Sequence, residues 1–232
     1  MTDPVQRAWI DLAPGYAGYL ALPPARRGPG ILLMQEIFGV NEHIRAVADQ
    51  YALDGFVVLA PDLFWREAPR VELGYEGADM TQARALMTAY TAEQAIADIG
   101  IAARVLRARA EVGASKIGTV GYCMGGRMAW FAAATAGVDA AVAYYGGGIH
   151  MNLQYAASVR CPMQFHYAGH DDHIPPQAVA SVRQAMGPER AEVHVYADAH
   201  HGFNCWARGS YHAASAALAH GRALSFLAAK LF

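Results

Sequence analysis

The chain has 232 residues, of which 54% are hydrophobic and 16% charged, and its formal net charge is −2. This composition can fill the core of an α/β domain, and the lack of Lys/Arg runs argues against nucleic acid or anionic membranes as partners. Residues 1–7 contain no apolar segment and no window approaches ~18 apolar residues, so we expect neither a secretory signal nor a membrane span. Three cysteines, an odd number, favour a reducing, cytoplasmic location over a disulfide framework.

The first half of the chain alternates short apolar runs with helical periodicity. Residues 9–22 predict an edge hairpin around Pro14-Gly15, and the runs 31–34 and 56–60 predict buried strands. Asn41 can cap a helix that ends at Gly55. Residues 62–78 lack periodicity and predict a loop near the site, whereas 80–110 predict one continuous helix closed by Gly113.

The second half continues this alternation. Segments 140–145, 163–167 and 193–196 predict buried strands, while 177–186 and the residues from about 210 onward predict helices. Such alternation implies right-handed βαβ units and a mostly parallel central sheet with helices on both faces. Because no repeat or linker interrupts it, we expect an α/β fold with a single domain over residues 1–232.

A strand, a sharp turn and a helix meet near the middle of the chain. The run Ile117 to Val120 predicts a buried strand, and Gly121-Tyr122-Cys123-Met124-Gly125 turns it into a helix. This is the G-x-nucleophile-x-G spacing of the α/β-hydrolase elbow, with cysteine in the place of the usual serine. The tip of such a turn has no room for a Cβ two residues to either side, hence the two glycines. The alternative is that Cys123 is a buried, inert thiol.

An elbow nucleophile needs an orienting acid and a base, which follow it in the order Asp/Glu, His. Asp171 and Asp172 come shortly after the predicted strand 163–167, and His200 and His201 come shortly after 193–196. The ligand crevice of a parallel sheet lies outside the carboxyl ends of its strands, where all of these residues map. From the spacing alone, either acid and either histidine could serve Cys123.

At this point the chain resembles the dienelactone hydrolase family, whose name reaction is the hydrolysis of carboxymethylenebutenolide. The resemblance runs from about Ile31 to the C-terminus, and it is carried by Gln35-Glu36-Ile37-Phe38-Gly39, Ala60-Pro61-Asp62-Leu63, Gly121-Tyr122-Cys123-Met124-Gly125-Gly126, Tyr144-Tyr145-Gly146, Gly169-His170-Asp171-Asp172-His173-Ile174-Pro175 and His201-Gly202-Phe203. It implies the α/β-hydrolase fold, a hydrolase of an ester or lactone that needs no cofactor, and a triad of Cys123, Asp171 and His201. The family's acid lies two residues after the glycine, which selects Asp171, and its histidine directly precedes a small residue and Phe, which selects His201.

The resemblance also implies a role for Glu36, because the family's glutamate at this position helps to deprotonate the thiol when substrate binds. A carboxylate beside a thiol can accept its proton but raises the thiol pKa by repulsion, so Glu36 would gate reactivity. The alternative is an acid that caps a helix or pins a loop. The oxyanion would be held by the backbone N–H groups of Met124 and Ile37, by the nucleophile-plus-one rule and the family's pattern.

The family's lactone hydrolases hold the substrate carboxylate with two arginines. Where the second is expected this chain has Cys205, with Arg208 three residues later, and for the first it offers Arg84. A thiol does not replace a bidentate guanidinium, so another ester, a thioester or another lactone stays open as the substrate. The predicted substrate pocket consists of Phe38, Trp65, Arg84, Tyr145 and Phe203.

Two other functions compete with this hypothesis. Several side chains of metal-ligand type lie in the second half of the chain: His166, His170, His173, His200, His201, Asp171 and Asp172. They lack the H-E-x-x-H or C-x-x-C spacing of a zinc site, so we expect no metal. A metal-dependent hydrolase would be inactivated by chelators, whereas a non-catalytic or redox-sensing module would bind a small ligand at Cys123 without turnover. The sequence does not decide between monomer and homodimer.

Overall fold

The computed structural model describes residues 4–232. Residues 1–3, which belong to the predicted domain and to the N-terminal segment predicted to lack a signal, lie outside the described residues. Within the described part, eight strands form one sheet. They are β1 (Gln6–Ala13), β2 (Tyr16–Leu22), β3 (Gly30–Met34), β4 (Val57–Pro61), β5 (Ile117–Tyr122), β6 (Ala140–Tyr144), β7 (Met163–His170) and β8 (Ala191–His200). No helix in 4–232 is long and apolar enough to cross a membrane.

The strand order is β1-β2-β4-β3-β5-β6-β7-β8. The pairs from β4 to β8 are parallel, whereas the β1–β2 hairpin and its attachment to β4 are antiparallel. This arrangement confirms the predicted edge hairpin and the mostly parallel sheet. The central strands are buried over their whole length, as continuous apolar runs in a parallel sheet require.

Six α-helices cover the sheet within the described residues. They are α1 (Glu42–Leu53), α2 (Gly77–Ala89), α3 (Ala92–Arg107), α4 (Met124–Thr135), α5 (Pro176–Met186) and α6 (Ala213–Leu231). Helix α3 packs against α4, whereas α1 meets α6 through the rings of Tyr51 and His220, 5.4 Å apart. Asn41 caps α1 as predicted, because its side chain accepts a hydrogen bond from the N–H of Ile44.

The prediction of one continuous helix over 80–110 is wrong. The structure has two helices, α2 and α3, separated at Tyr90 and Thr91. The Thr91 hydroxyl accepts the N–H of Gln94, and the Gln94 side chain accepts the N–H of Thr91. This capping box starts a new helix, which ends at Arg107, well before Gly113.

The loop between β4 and α2 is fixed by buried carboxylates. Arg66 forms a bidentate ion pair of 2.6 and 2.7 Å with Asp98 of α3, whose side chain is fully buried. The Tyr90 hydroxyl also donates to Asp98, at 3.1 Å. Asp62, at the end of β4, accepts the N–H of Arg70 at 2.6 Å. These contacts tie the predicted loop to the neighbouring helix and strand.

Candidate active site

The predicted triad residues lie at the end of the sheet where its parallel strands have their carboxyl termini. Cys123 follows β5, Asp171 follows β7 and His201 follows β8, and Glu36 comes two residues after the end of β3. Because these strands are parallel, their carboxyl ends lie on the same side of the sheet, close to one another. The structure therefore brings together four residues that are up to 165 positions apart, since 201 minus 36 is 165.

The elbow at Cys123 has the strained backbone that its motif predicts. Cys123 has φ 55° and ψ −116°, a conformation that non-glycine residues rarely adopt, and it is the N-cap residue of α4. A Cβ at Gly121 would overlap the carbonyl of Gly125, and one at Gly125 would overlap the carbonyl of Met34 at the end of β3. Both glycines are thus required by close backbone packing, and α4 starts directly beside the segment that carries Glu36.

His201 and Asp171 form a short, largely buried hydrogen bond. The distance between Nδ1 of His201 and Oδ2 of Asp171 is 2.8 Å, and the Asp171 side chain is 1% exposed. Burial alone would lower the pKa of His201, but the charges of Cys123 and Asp171 and the hydrogen bond to Asp171 together raise it to about 10. The site therefore favours an imidazolium, the form that His201 takes after accepting a thiol proton.

The neighbouring residues His200 and Asp172, the other candidates for the base and the acid, do not take part in this hydrogen bond. His200 stacks on His170 with ring centroids 5.4 Å apart, and Asp172 is exposed. Asp171 is held in place from its own loop as well, because its Oδ1 accepts the N–H of His173 at 2.9 Å. Of the two acids and two histidines that spacing alone left open, only the pair Asp171–His201 is hydrogen-bonded within the described residues.

Glu36 is buried and held by a single arginine. Its Oε1 accepts a hydrogen bond from Arg208 at 3.2 Å, while Oε2 is buried with no hydrogen-bond partner among residues 4–232. Burial raises the pKa of the Glu36 carboxyl, against the lowering by the nearby charges of Arg208 and His201. Glu36 caps no helix here, since Asn41 caps α1.

Two backbone N–H groups are available for an oxyanion. Met124 is the first residue of α4, where an N–H has no partner within the helix. Within the described part of the chain, no backbone hydrogen bond outside the regular elements takes up the N–H of Met124 or of Ile37. Both groups lie next to a proposed catalytic side chain in the sequence, Met124 after Cys123 and Ile37 after Glu36.

The predicted pocket residues divide into two groups. Tyr145 lies 5.1 Å from the His201 ring and 5.4 Å from Phe203, and Phe38 lies under the guanidinium of Arg208 at 5.6 Å. By contrast, Trp65 stacks on Tyr16 of the edge hairpin, and Arg84 is exposed on α2 with no described contact to the triad. We therefore keep Phe38, Tyr145 and Phe203 as the proposed lining and drop Trp65 and Arg84.

Sequence reasoning missed Arg127, which lies one turn into α4 after the nucleophile. Its guanidinium rests against the backbone of Gly148, and its charge interacts with Cys123. It has no ion pair or hydrogen bond among the described residues, and burial lowers its pKa. A half-buried, unpaired guanidinium beside a nucleophile can receive an anionic group of a ligand. Its position in the elbow motif, two residues after Gly125, was the available signal.

The histidines considered as metal ligands are engaged in other contacts. His166 is buried and bonded through both ring nitrogens, at 2.8 Å to Tyr196 and at 2.8 Å to Gln164. His173 packs edge-on against His201, and His170 stacks on His200. In a different buried set of side chains, Glu36, His43 and Cys205, an oxygen, a nitrogen and a sulfur atom lie within 4.8 Å of one another.

Comparison with known proteins assigns the chain to a protein family. The model of the dienelactone hydrolase family matches residues 16–231 of the chain. The chain belongs to the dienelactone hydrolase family. A carboxymethylenebutenolidase from Pseudomonas putida is 36% identical over 214 residues, which cover 91% of this chain and 90% of that protein. Another carboxymethylenebutenolidase, from Pseudomonas sp. P51, is 34% identical and covers 81% of this chain and 79% of its own.

Solved structures agree with this assignment. A crystal structure from Klebsiella pneumoniae, assigned as a dienelactone hydrolase, has 30% sequence identity and a TM-score of 0.84, and it covers 97% of this chain and 98% of its own. The dienelactone hydrolase fold therefore spans the described chain, as the sequence resemblance implies. The protein is a dienelactone-hydrolase-like carboxylic ester hydrolase.

Proposed function

We propose that this protein hydrolyses a carboxylic ester or lactone through an acyl-enzyme, with Cys123 as nucleophile, His201 as base and Asp171 as its orienting acid. The observation that carries the proposal is the buried 2.8 Å hydrogen bond between Asp171 and His201, together with the effect of Cys123 on the pKa of His201. A nucleophile, a base and a third group that orients the base are the parts that nucleophilic catalysis needs.

The reaction follows from these positions. His201 takes the thiol proton of Cys123, and the thiolate attacks the carbonyl carbon of the substrate. The oxyanion accepts hydrogen bonds from the N–H groups of Met124 and Ile37, and the imidazolium protonates the departing oxygen as the C–O bond breaks. Water, deprotonated by His201, then attacks the thioester and releases the acid and the thiol.

Glu36 acts as a gate on this nucleophile. The carboxylate and its partner Arg208 form a buried ion pair beside the elbow, and a negative charge there opposes a second one on Cys123. When an anionic or polar substrate competes for Arg208, Glu36 can turn its free oxygen toward the thiol, accept the proton and pass it on to His201. Reactivity would then depend on the presence of substrate, which protects the thiol from other electrophiles.

The substrate we propose is an ester or lactone that carries an anionic group, as the relatives named for carboxymethylenebutenolide imply. Arg127 is the unpaired cation next to the nucleophile, and it can hold a carboxylate while the carbonyl meets Cys123. Arg208 is the second cation at the site, and the buried ring of Tyr145 packs against both His201 and Phe203. This assignment replaces the exposed Arg84 as an anion-binding residue.

The experiment is hydrolysis of cis- and trans-dienelactone, p-nitrophenyl acetate and a thioester by wild type, Cys123→Ala and the matched control Cys161→Ala. Cys161 is a free, buried cysteine, and no contact among residues 4–232 joins it to the triad. We expect turnover of at least one lactone by wild type and Cys161→Ala and none by Cys123→Ala. Activity that survives in Cys123→Ala would refute the mechanism. Alkylation of Cys123 without turnover of any ester would instead favour the redox-sensing or binding module.

A further inference from the structure

Three buried ligand-type side chains meet beside the proposed active site. Glu36 follows β3, His43 lies in the first turn of α1, and Cys205 lies between β8 and α6. One donor atom of each, an oxygen, a nitrogen and a sulfur, lies within 4.8 Å of the other two, and all three residues are buried. Because the three come from separate segments, no local spacing motif reveals them.

The bonding of this cluster is incomplete. Both ring nitrogens of His43 and Oε2 of Glu36 are buried and have no hydrogen-bond partner among the described residues. His43 is only 3% exposed and Glu36 only 1%, so bulk water does not satisfy these atoms. Buried polar atoms in native proteins nearly always have a partner, and a bound ion is one explanation of an exception.

We propose that Glu36, His43 and Cys205 form a binding site for a zinc ion. Thiolate, imidazole and carboxylate are the zinc ligands of proteins, whereas magnesium and calcium prefer oxygen alone. The carboxylate and the thiolate are the two anionic ligands, with the Glu36 charge shared between the ion and Arg208, and Cys205 releases its proton to solvent on binding. Ligands of a tetrahedral zinc lie about 3.5 Å apart, so donor atoms that now lie within 4.8 Å of one another must close by up to about 1.3 Å.

The surroundings hold the three ligands in place. Arg208 binds Oε1 of Glu36, which leaves Oε2 for the ion. Tyr75 lies with its hydroxyl 3.5 Å from Sγ of Cys205, and Trp206 packs edge-on against the His43 ring at 4.2 Å. Such outer contacts orient metal ligands in known sites. An open surface groove lined by His43, Tyr75 and Trp206 gives an ion a path as far as the His43 side of the cluster.

The consequence reaches the active site because Glu36 is shared. An ion on Oε2 ties down the oxygen that the gate would turn toward Cys123, so zinc binding would inhibit hydrolysis reversibly. The site itself does not depend on the proposed function, since it requires neither Cys123 nor turnover.

The test is direct binding of Zn²⁺ and Co²⁺ to the full chain, followed by calorimetry and by the thiolate-to-cobalt absorption band. We expect binding with 1:1 stoichiometry that Mg²⁺ does not compete away. His43→Gln, Cys205→Ala and the isosteric Glu36→Gln should each weaken it at least ~100-fold, more than the loss of an outer-shell contact does. Cys161→Ala, which removes a buried thiol remote from the cluster, and Cys123→Ser should both retain it.

Cys123→Ser separates this site from the catalytic pair, because a thiol and imidazole at Cys123 and His201 could bind zinc themselves. The proposal is overturned if ion binding and the cobalt–thiolate band disappear in Cys123→Ser but persist in Cys205→Ala. It is also overturned if the wild type binds no ion at micromolar concentration. Circular dichroism of each variant identifies any that fails to fold. If one does, anomalous scattering at the zinc edge from zinc-soaked wild-type crystals decides whether the ion lies between the three side chains.

Discussion

Replacing Asp171 by asparagine tests the centre of the proposed mechanism. The substitution keeps the size of the side chain but removes the charge that faces Nδ1 of His201 at 2.8 Å. At an effective dielectric constant of ~20, an imidazolium and a carboxylate at this separation attract each other by about 6 kcal/mol, an upper bound on what the charge can contribute. The amide can also present its NH₂ to Nδ1, which stabilises the wrong imidazole tautomer.

That bound corresponds to about 10⁴-fold in rate, so we expect the acylation rate to fall by roughly 10³–10⁴-fold. The assay is single-turnover release of p-nitrophenolate from p-nitrophenyl acetate, because it reports acylation separately from release of the acid. The matched control is Asp172→Asn, which removes the same charge from the exposed neighbour. If Asp171→Asn acylates within tenfold of Asp172→Asn, the carboxylate does not orient the base and our assignment of the triad is wrong.

Further predictions concern other parts of the molecule. Because the charge of Cys123 helps to raise the pKa of His201 to about 10, Cys123→Ser should lower that pKa toward ~6.5 in an NMR titration; an unchanged value would show that the two side chains do not interact. Arg127→Met should raise KM for a carboxylate-bearing lactone about 10–100-fold but not KM for a neutral ester, and equal effects on both would exclude anion binding. Arg66→Met leaves Asp98 buried without its ion pair and should cost about 3–5 kcal/mol of the free energy of unfolding, measured in urea. Part of this loss should return when Asp98→Asn is added.

The order of elements and the position of the elbow could be predicted because local patterns determine them. Apolar runs mark the buried strands, and Gly121 and Gly125 mark the turn whose packing excludes a Cβ. The break between α2 and α3 was missed, although Thr91 and Gln94 show the spacing of a capping box, because apolar periodicity continues across it. The start of a helix is thus determined by its capping residues, and the pattern of apolar residues on its buried face does not reveal it.

The contents of the site could be predicted only in part. Family motifs select Asp171 and His201, and the structure brings this pair together. No pattern in the sequence places Cys205 beside Glu36 and His43, because that proximity arises when the loop between β8 and α6 packs against the segment that joins β3 to α1. Arg127 was missed for another reason: whether a guanidinium is paired depends on what surrounds it in space.

The site is distributed unevenly across the sheet. Cys123 and Glu36 follow central strands that are paired on both sides, whereas His201 follows β8, which has one neighbour and an outer edge that no strand covers in the described residues. Edge elements open at lower free energy than the core, so β8 can detach while β3 and β5 remain folded. Catalysis would then fail at a lower temperature than the one at which the sheet melts, and the amides of β8 would exchange their hydrogens faster than those of β5.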